Sequence, residues 1–470
     1  MRALVHRPAA TWLLLVSLEK AVSAQFMEFL DMLRRPLRFV IDEAHCVLEW
    51  SDFRAAYNQL CLLRRRFSNS PFMALTGTAS RADAEAIRDA LSLQSASVIV
   101  GDTTREELVF AVDDKRPARL LPSVDLVIPI LGRHVNETGI IFVATVKAVE
   151  STVAALRERS GILVDGFHSQ LDYKTKRERA TAWASGRTKV LVATSAFGMG
   201  INNTACRFTI HLQVPSTMIA LQQECGRAGR DGRVAYCYLL ASQSDHSVWA
   251  PVFSNAARKH VIVANGNVPP SSAAFLEQTL NISARSHQRL EEVLLFTSLP
   301  YCRRWMLQVS VSQACAESDP QLACVNSGSL ACDACCQASI KRGRRIEVGA
   351  HAQAVFEIVR LAAVANQEVG IDDVVDIYAQ TSAALKSTAF ALLNEWRRQP
   401  HIVQNLQALK PTRRLGQFLV SLLIVRGVVR YLSVPPDMVN DEPVDHWKRH
   451  TFTLAPQDAT NLQLASFYVQ

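Results

Sequence analysis

Long apolar runs are missing from this 470-residue sequence. FLVSLLIV, from Phe418 to Val425, falls far short of the roughly 20 residues a helix needs to cross a bilayer, so no membrane span is expected. The N-terminus has basic residues, an apolar patch and AVSA, as a secretory signal does. Its patch runs only from Trp12 to Val16 before Ser17, Glu19 and Lys20, too short for a signal core, and export is not expected. Internal repeats and low-complexity tracts are also lacking, which excludes solenoids and collagen-like rods. Charge of a single sign is lacking too. Lys and Arg number 51 against 43 Asp and Glu, a net +8, which suits a polyanionic partner without demanding one.

What remains is an ordinary globular chain, 49% hydrophobic and 20% charged, long enough for two to four domains. Its 11 cysteines divide unevenly. Cys46, Cys61, Cys206, Cys225 and Cys237 are scattered, as buried thiols in a reducing compartment are. The other six fall between Cys302 and Cys336, and such clustering suits a metal site.

From residue 37 to about 241, the runs LRFVI, FMAL, GIIFVA, ILVDGF, KVLVA, FTIHL and VAYCYLL alternate with helix-sized segments such as SRADAEAIRDALSL. β-Branched runs of this length and spacing predict parallel sheets covered by helices. The stretch VDDKRPARLLPSVDLVIPILGRHVNETG interrupts the pattern and separates two α/β units. In such folds chemistry sits at the carboxyl ends of strands. Asp42, Thr76, Thr145, His168 and Thr194 all lie just past strand-like runs. Beyond residue 243 the pattern turns helical, and from 346 to 456 helices precede two short strands, GVVRYLSV and HTFTLAP. That order suggests a winged helix, with the polar connection between the strands as its wing.

DEAH, at Asp42 to His45, places two carboxylates where a buried strand ends. One can hold Mg²⁺ as a Walker-B aspartate does, and its neighbour can orient or deprotonate water. Four letters alone also fit an exposed turn. The residues that follow decide the matter. DEAHCVLEWSDFRAAYNQLCLLRRRFSNSPFMALTGTAS resembles the RecQ family of superfamily 2 DNA helicases in its motif II, its aromatic-rich loop and its motif III. GIIFVATVKAVEST, FHSQLDYKTKRE, VLVATSAFGMGINN and QQECGRAGRDGR resemble motif IV, the segment after it, and motifs V and VI, in the family's order across residues 12–241.

The resemblance implies an ATP-dependent 3′–5′ DNA helicase with ATP, Mg²⁺ and structural Zn²⁺ as cofactors. It also implies single-stranded DNA and duplex junctions as partners, work in repair and recombination, and residence in the nucleus. Asp42 would hold Mg²⁺, Glu43 would be the catalytic base and His45 would couple it to neighbouring elements. Arg227 and Arg230 would reach the γ-phosphate, a task suited to an always-charged fork; alone they also fit a solvated helix face. Gly200, Asn202 and Gln223 would lie at the nucleotide. Trp50 and Phe53 would stack on unpaired bases with Arg54 on the backbone, although core packing also fits the two aromatics. Thr145, His168 and Thr194 are further candidates for strand contact.

The family's zinc module opens with CRR and closes with CDxC, matched by Cys302, Cys332 and Cys335. The remaining ligand normally stands three residues before the closing pair, where Ser329 lies here. Cys324 is the best substitute, with Cys315 and Cys336 as rivals, and four thiolates would make a closed structural site. In the C-terminal part Leu415, Phe418, Leu419, Leu422 and Leu423 read as core. Arg413, Arg414, Arg426 and Arg430 suit DNA phosphates or a solvated face equally.

The expected architecture is α/β: a partial RecA-like domain over 1–115, a second over 116–241, a helical zinc module over 242–345, and a winged-helix-like domain with a tail over 346–470. Three departures from the family stand out. No G-x-x-x-x-G-K-[S/T] loop, whose amides and lysine cradle phosphates, occurs in the sequence. The chain therefore reads as N-terminally incomplete, inactive by itself, and with apolar faces of its first sheet uncovered. Asn202 replaces an acid expected at the ribose. The loop EWSDFR lacks a Gly-His pair, a shortening that resembles a fungal, telomere-associated branch. The alternative reading is a non-catalytic nucleic-acid-binding remnant of a helicase.

Overall fold

The computed structural model describes residues 13–33, 36–49, 59–77, 79, 81–93, 95–99, 101, 105–114, 123–195, 197, 203–242, 245–265, 273–299, 301–311, 324, 331–340, 346–347, 349–365, 371–380, 413–425, 429–432, 453–456 and 468–469. Two parallel sheets dominate the first half. β1 (Phe39–Ile41) pairs with β2 (Phe72–Ala74) in register Phe39↔Phe72. β3 (Leu108–Asp114), β4 (Thr138–Phe142), β5 (Val164–Phe167), β6 (Val190–Ala193), β7 (Cys206–His211) and β8 (Ala235–Ala241) form a six-stranded sheet in the order β3-β8-β7-β4-β6-β5. All its pairings are parallel, which is the RecA-like arrangement expected.

Each of the seven apolar runs becomes a strand. The eighth strand, β3, was not among them. As an edge strand it alternates buried Leu108 and Phe110 with half-buried Val109 and Ala111, whereas β4 is buried throughout. Its pairing with β8 also puts Leu108–Asp114 in the second sheet, ahead of the boundary expected at 115/116.

The two faces of this sheet carry separate cores, as alternating side chains require. Ile141, Val192, Phe208 and Ile210 pack under the helices Ser123–Arg133 and Val146–Ser160. Ile140, Phe142, Leu191 and Leu239 pack with Trp183, Leu221, Phe253 and Phe296 on the other face. The indole of Trp183 donates to Gly139 O at 3.0 Å. A side chain at Gly139 would strike the Phe208 ring, whose nearest atom lies 2.2 Å from where its Cβ would be.

Both edges of the sheet are closed. Along β5 the carbonyls of Val164 and Gly166 accept from Arg157 Nε at 3.0 Å and Arg179 Nη1 at 2.6 Å, leaving little for a foreign strand to pair with. Along β3 the cysteine-bearing segment packs as a cover, and Arg304 Nη2 donates to the carbonyls of Glu106 and Leu108.

The first unit is smaller. Ile41, Ala44, Val47, Leu60, Leu63, Ile87 and Leu91 form its core. Val40 (60% exposed), Met73 (55%) and Leu75 (44%) face outward, although parallel sheets are ordinarily covered on both faces. This is the uncovered apolar surface expected.

The helices Asp245–Asn265 and Ala273–Ser298 follow, then Arg303–Val311 and Asp333–Ile340 around the cysteines. The last helices, Gly349–Val364, Ile371–Tyr378 and Arg413–Val425, pack together. Leu419 and Leu423 are fully buried and Leu415 is half-buried, while the side chains of Phe418 and Leu422 lie outside those described. Val429–Leu432 then pairs antiparallel with Thr453–Pro456. The connection expected to form a wing, with Arg426, lies outside the described residues. Among the described residues no helix is long and apolar enough to cross a membrane.

Candidate functional site

β1 ends at Ile41, and the chain turns at its carboxyl end through Asp42 and Glu43, both exposed. Glu43 has φ +51°, a left-handed conformation that costs a non-glycine residue about 1–3 kcal/mol. The turn is pinned on both sides. Glu43 N donates to Asp42 Oδ1 at 3.0 Å, Ala44 N to Leu75 O at 2.8 Å, and Leu75 N to Ile41 O at 2.8 Å.

His45 is buried directly beneath the acids. Its Nδ1 lies 2.9 Å from Thr76 Oγ1 and 3.4 Å from Glu43 Oε2, and its Nε2 lies 3.2 Å from Gln223 Nε2. The amide nitrogen of Gln223 donates, so Nε2 accepts and the proton resides on Nδ1. One imidazole thus joins DEAH, ALTGTA and QQECGRAGR. The last of these belongs to the other sheet.

The helix Met218–Cys225, capped by Thr217 Oγ1 accepting from Ala220 N at 3.0 Å, leads into the arginine-bearing loop. Gly229 (φ +68°) and Gly232 (φ +78°) supply its tight turns. Arg230 is exposed and donates from Nε to Gly226 O at 3.3 Å. Arg227 is half-buried. Burial holds its guanidinium below the ordinary arginine value, Glu224 opposes that effect, Arg230 reinforces it, and the charge of Glu43 also acts to raise it. The acid turn and the arginine loop therefore lie in one electrostatic neighbourhood. Behind the loop, His211 Nε2 and Glu224 Oε2 form a buried pair at 3.0 Å.

The other predicted residues are placed as follows. Thr145 Oγ1 caps the helix Val146–Ser160 by accepting from Ala148 N at 3.2 Å. His168 and Thr194 are buried at the carboxyl ends of β5 and β6. Trp50, Phe53, Arg54, Gly200 and Asn202 lie outside the described residues.

The ligand atoms of Cys302, Cys324, Cys332 and Cys335 lie within 4.8 Å of one another, and all four residues are buried. Cys302 and Cys324 sulfurs are 3.3 Å apart, and Arg303 N donates to Cys332 Sγ at 3.4 Å. Hydrogen bonds from Cys324, Cys332 and Cys335 hold the Cys302 thiol well below its ordinary range. Four convergent sulfurs fit a tetrahedral zinc shell. Cys336 is exposed and outside the cluster, and Cys315 lies outside the described residues. Arg303 forks onto Asp333, Nε to Oδ1 at 3.1 Å and Nη2 to Oδ2 at 3.0 Å, tying the two halves of the cluster together.

Arg105, Glu107 and Arg304 contact this machinery but were not anticipated. Their roles come from backbone carbonyls brought close only in the fold, and no spacing in the sequence marks them.

Residues 122–232 match the family model described as "Helicase conserved C-terminal domain". The ATP-dependent DNA helicase hus2/rqh1 of Schizosaccharomyces pombe is 37% identical over 210 residues, 44% of this chain and 16% of that one. The ATP-dependent DNA helicase Q-like 4B of Arabidopsis thaliana is 30% identical over 372 residues, covering 78% of this chain and 30% of its own. The ATP-dependent DNA helicase RecQ of Pasteurella multocida is 35% identical over 237 residues, 50% of this chain and 36% of that one. The chain thus spans well under half the length of each of these relatives. Among solved structures, S. cerevisiae Dbp5 bound to RNA and ADP BeF3 aligns over 48% of this chain and 60% of that one, with 18% identity and a TM-score of 0.39. With its motifs in order on a parallel RecA-like sheet and these relatives beside it, the chain belongs to the RecQ family of helicases.

Proposed function

We propose that this chain carries the acid, arginine and zinc parts of an ATP-dependent 3′–5′ DNA helicase that works on single-stranded DNA and duplex junctions in nuclear repair and recombination. The observation that carries the reading is the bridge from His45 to Thr76 and Gln223, since it joins the acid turn of one sheet to the arginine loop of the other. In this reading Asp42 holds Mg²⁺, Glu43 takes a proton from water, and Arg227 and Arg230 neutralise charge on the terminal phosphate. Trp50, Phe53 and Arg54 sense single-stranded DNA beside the acids, with Thr145, His168 and Thr194 near the strand. Gly200 and Asn202 join Gln223 at the nucleotide. Zinc braces the helical module. The three last helices and their strand pair serve as a winged helix.

The donor set fits only half of what ATP requires. Carboxylates and guanidinia are present, and the sequence holds no G-x-x-x-x-G-K-[S/T] loop for the remaining phosphates. The purified chain is therefore inactive as an ATPase. Phosphate release in the presence of single-stranded DNA should stay at background and be unchanged by Glu43→Gln; a robust DNA-stimulated rate abolished by that substitution would overturn the inactivity. The helicase reading itself predicts tighter binding to a 3′-tailed duplex than to a blunt one, and equal binding to both counts against it. The same missing loop supports a second reading, a nucleic-acid-binding protein without catalysis. That reading expects salt-dependent DNA binding indifferent to nucleotide.

A further inference from the structure

Arg304 is a buried guanidinium two residues beyond Cys302. Its Nη2 donates to Glu106 O at 2.9 Å and Leu108 O at 3.1 Å, while Nε and Nη1 have no hydrogen-bond partner. Among the described residues no carboxylate pairs with it. A buried charge of this kind is costly unless something compensates it. Four thiolates around one Zn²⁺ carry net negative charge, and the first of them, Cys302, stands two residues before Arg304, with Cys324, Cys332 and Cys335 following it.

The two carbonyls that Arg304 holds flank Glu107. The carboxylate of Glu107 pairs with Arg105 Nε, and its carbonyl accepts from Ala235 N at 2.9 Å. Arg105 then reaches the arginine-bearing loop, Nη2 donating to Ala228 O at 3.1 Å and Nη1 to Gly226 O at 3.5 Å. Gly226 and Ala228 are the residues on either side of Arg227. Contact is close here: a Cβ on Gly229 would lie 3.0 Å from Glu107 Cγ, so a side chain at 229 would press against the acid that orients Arg105.

We propose that Arg304 and Arg105 are positioning residues that transmit the occupancy of the four-cysteine site to the conformation of Arg227. The cluster fixes the start of the helix Arg303–Val311, Arg304 fixes the first turn of β3, and Glu107 aims Arg105 at the two carbonyls flanking Arg227. Loss of the metal frees Arg304 and lets that loop open without disturbing the sheet centre. The assignment of Arg227 to phosphate rests on the helicase reading, whereas the mechanical link does not.

Hydrogen exchange on the whole chain tests the link without nucleotide or DNA. The amides to follow are Arg227, Ala228, Gly229 and Ala235, all hydrogen-bonded to backbone carbonyls. Losing two charge-assisted bonds in Arg105→Met should raise their exchange on the order of tenfold or more, with one zinc still bound per chain. Arg304→Met should raise exchange in residues 105–110 and in the loop, again with zinc retained, and stripping the metal by a chelator should do the same. The amides of β4 and β6 should keep their protection throughout. Should a methionine variant lose that protection, Arg304→Lys, which keeps the charge with a single donor head, should give an intermediate loop rate on an intact sheet. In the double Arg105→Met, Arg304→Met variant the loop should exchange no faster than in Arg105→Met alone, because the two act in series. Unchanged loop exchange after metal removal, or additive effects in the double variant, would overturn the proposal. Failure to bind DNA would damage the helicase reading and leave this result standing.

Discussion

Replacing Cys324 by serine is the sharpest test of the metal centre, because the sequence pattern pointed to Ser329 as the family's position and left three cysteines competing. In the structure Cys324 approaches Cys302 to 3.3 Å and shares a 4.8 Å cluster with Cys332 and Cys335. A structural zinc site binds with about 10–16 kcal/mol. Divided over four ligands, that is roughly 2.5–4 kcal/mol each, or on the order of 100- to 1,000-fold in affinity per thiolate. Competition against a chromophoric chelator should show Cys324→Ser weakened by that factor, and elemental analysis should find the purified variant short of zinc. Cys336→Ser is the control: its side chain is exposed, and it should bind one zinc as the parent does. Full zinc retention in Cys324→Ser, or loss in Cys336→Ser, would refute the ligand set and with it the geometry of the whole cluster.

Other expectations follow from single contacts. Gly139→Val drives a branched side chain into the Phe208 ring and should destabilise the second sheet by about 1–3 kcal/mol or more, read as a lowered denaturant midpoint at unchanged slope. A double-mutant cycle on His45→Ala and Gln223→Ala should return a coupling of about 0.5–1.5 kcal/mol in the stability of the first unit, and zero coupling means that the bridge does not form in solution. His351 is buried against Tyr378, Nδ1 to the hydroxyl at 2.5 Å, and burial lowers its value from 6.5. Its unfolded form takes up a proton first, so this contribution is complete above about pH 6.5 and is lost as pH falls below it. Protection factors in the last helices, taken relative to the intrinsic exchange rate at each pH, should therefore fall on acidification from pH 7 to 5.5, and His351→Gln should flatten that dependence.

Much of the motor was legible because its signals are local. Fully buried strands such as VLVA at β6 need apolar residues on both faces, and the acid and arginine motifs sit where strands and helices end. β3 was missed although Leu108 to Val112 are all apolar, because the run itself does not say which sheet it joins, and its partner β8 lies more than a hundred residues away. The fourth cysteine could not be settled either. Spacing along a chain does not say how a loop folds back, and only the placement of Cys324 beside Cys302 separates it from Cys336. Arg105 and Arg304 were illegible for a similar reason. Each acts on main-chain carbonyls more than a hundred residues distant in sequence, and any residue type can present a carbonyl.

The turn at Glu43 is held by its neighbours. A left-handed glutamate persists only where its surroundings over-determine it. Leu75 accepts from Ala44 N and donates to Ile41 O beneath it, and His45 is held by Thr76 on one side and Gln223 on the other. The acid turn and the arginine-bearing segment are thus joined through His45. The exposed Val40, Met73 and Leu75 lie on β1, on β2 and just past β2, beside the turn that carries the acids. Substitutions of these three side chains should change solubility without moving Asp42, Glu43 or His45.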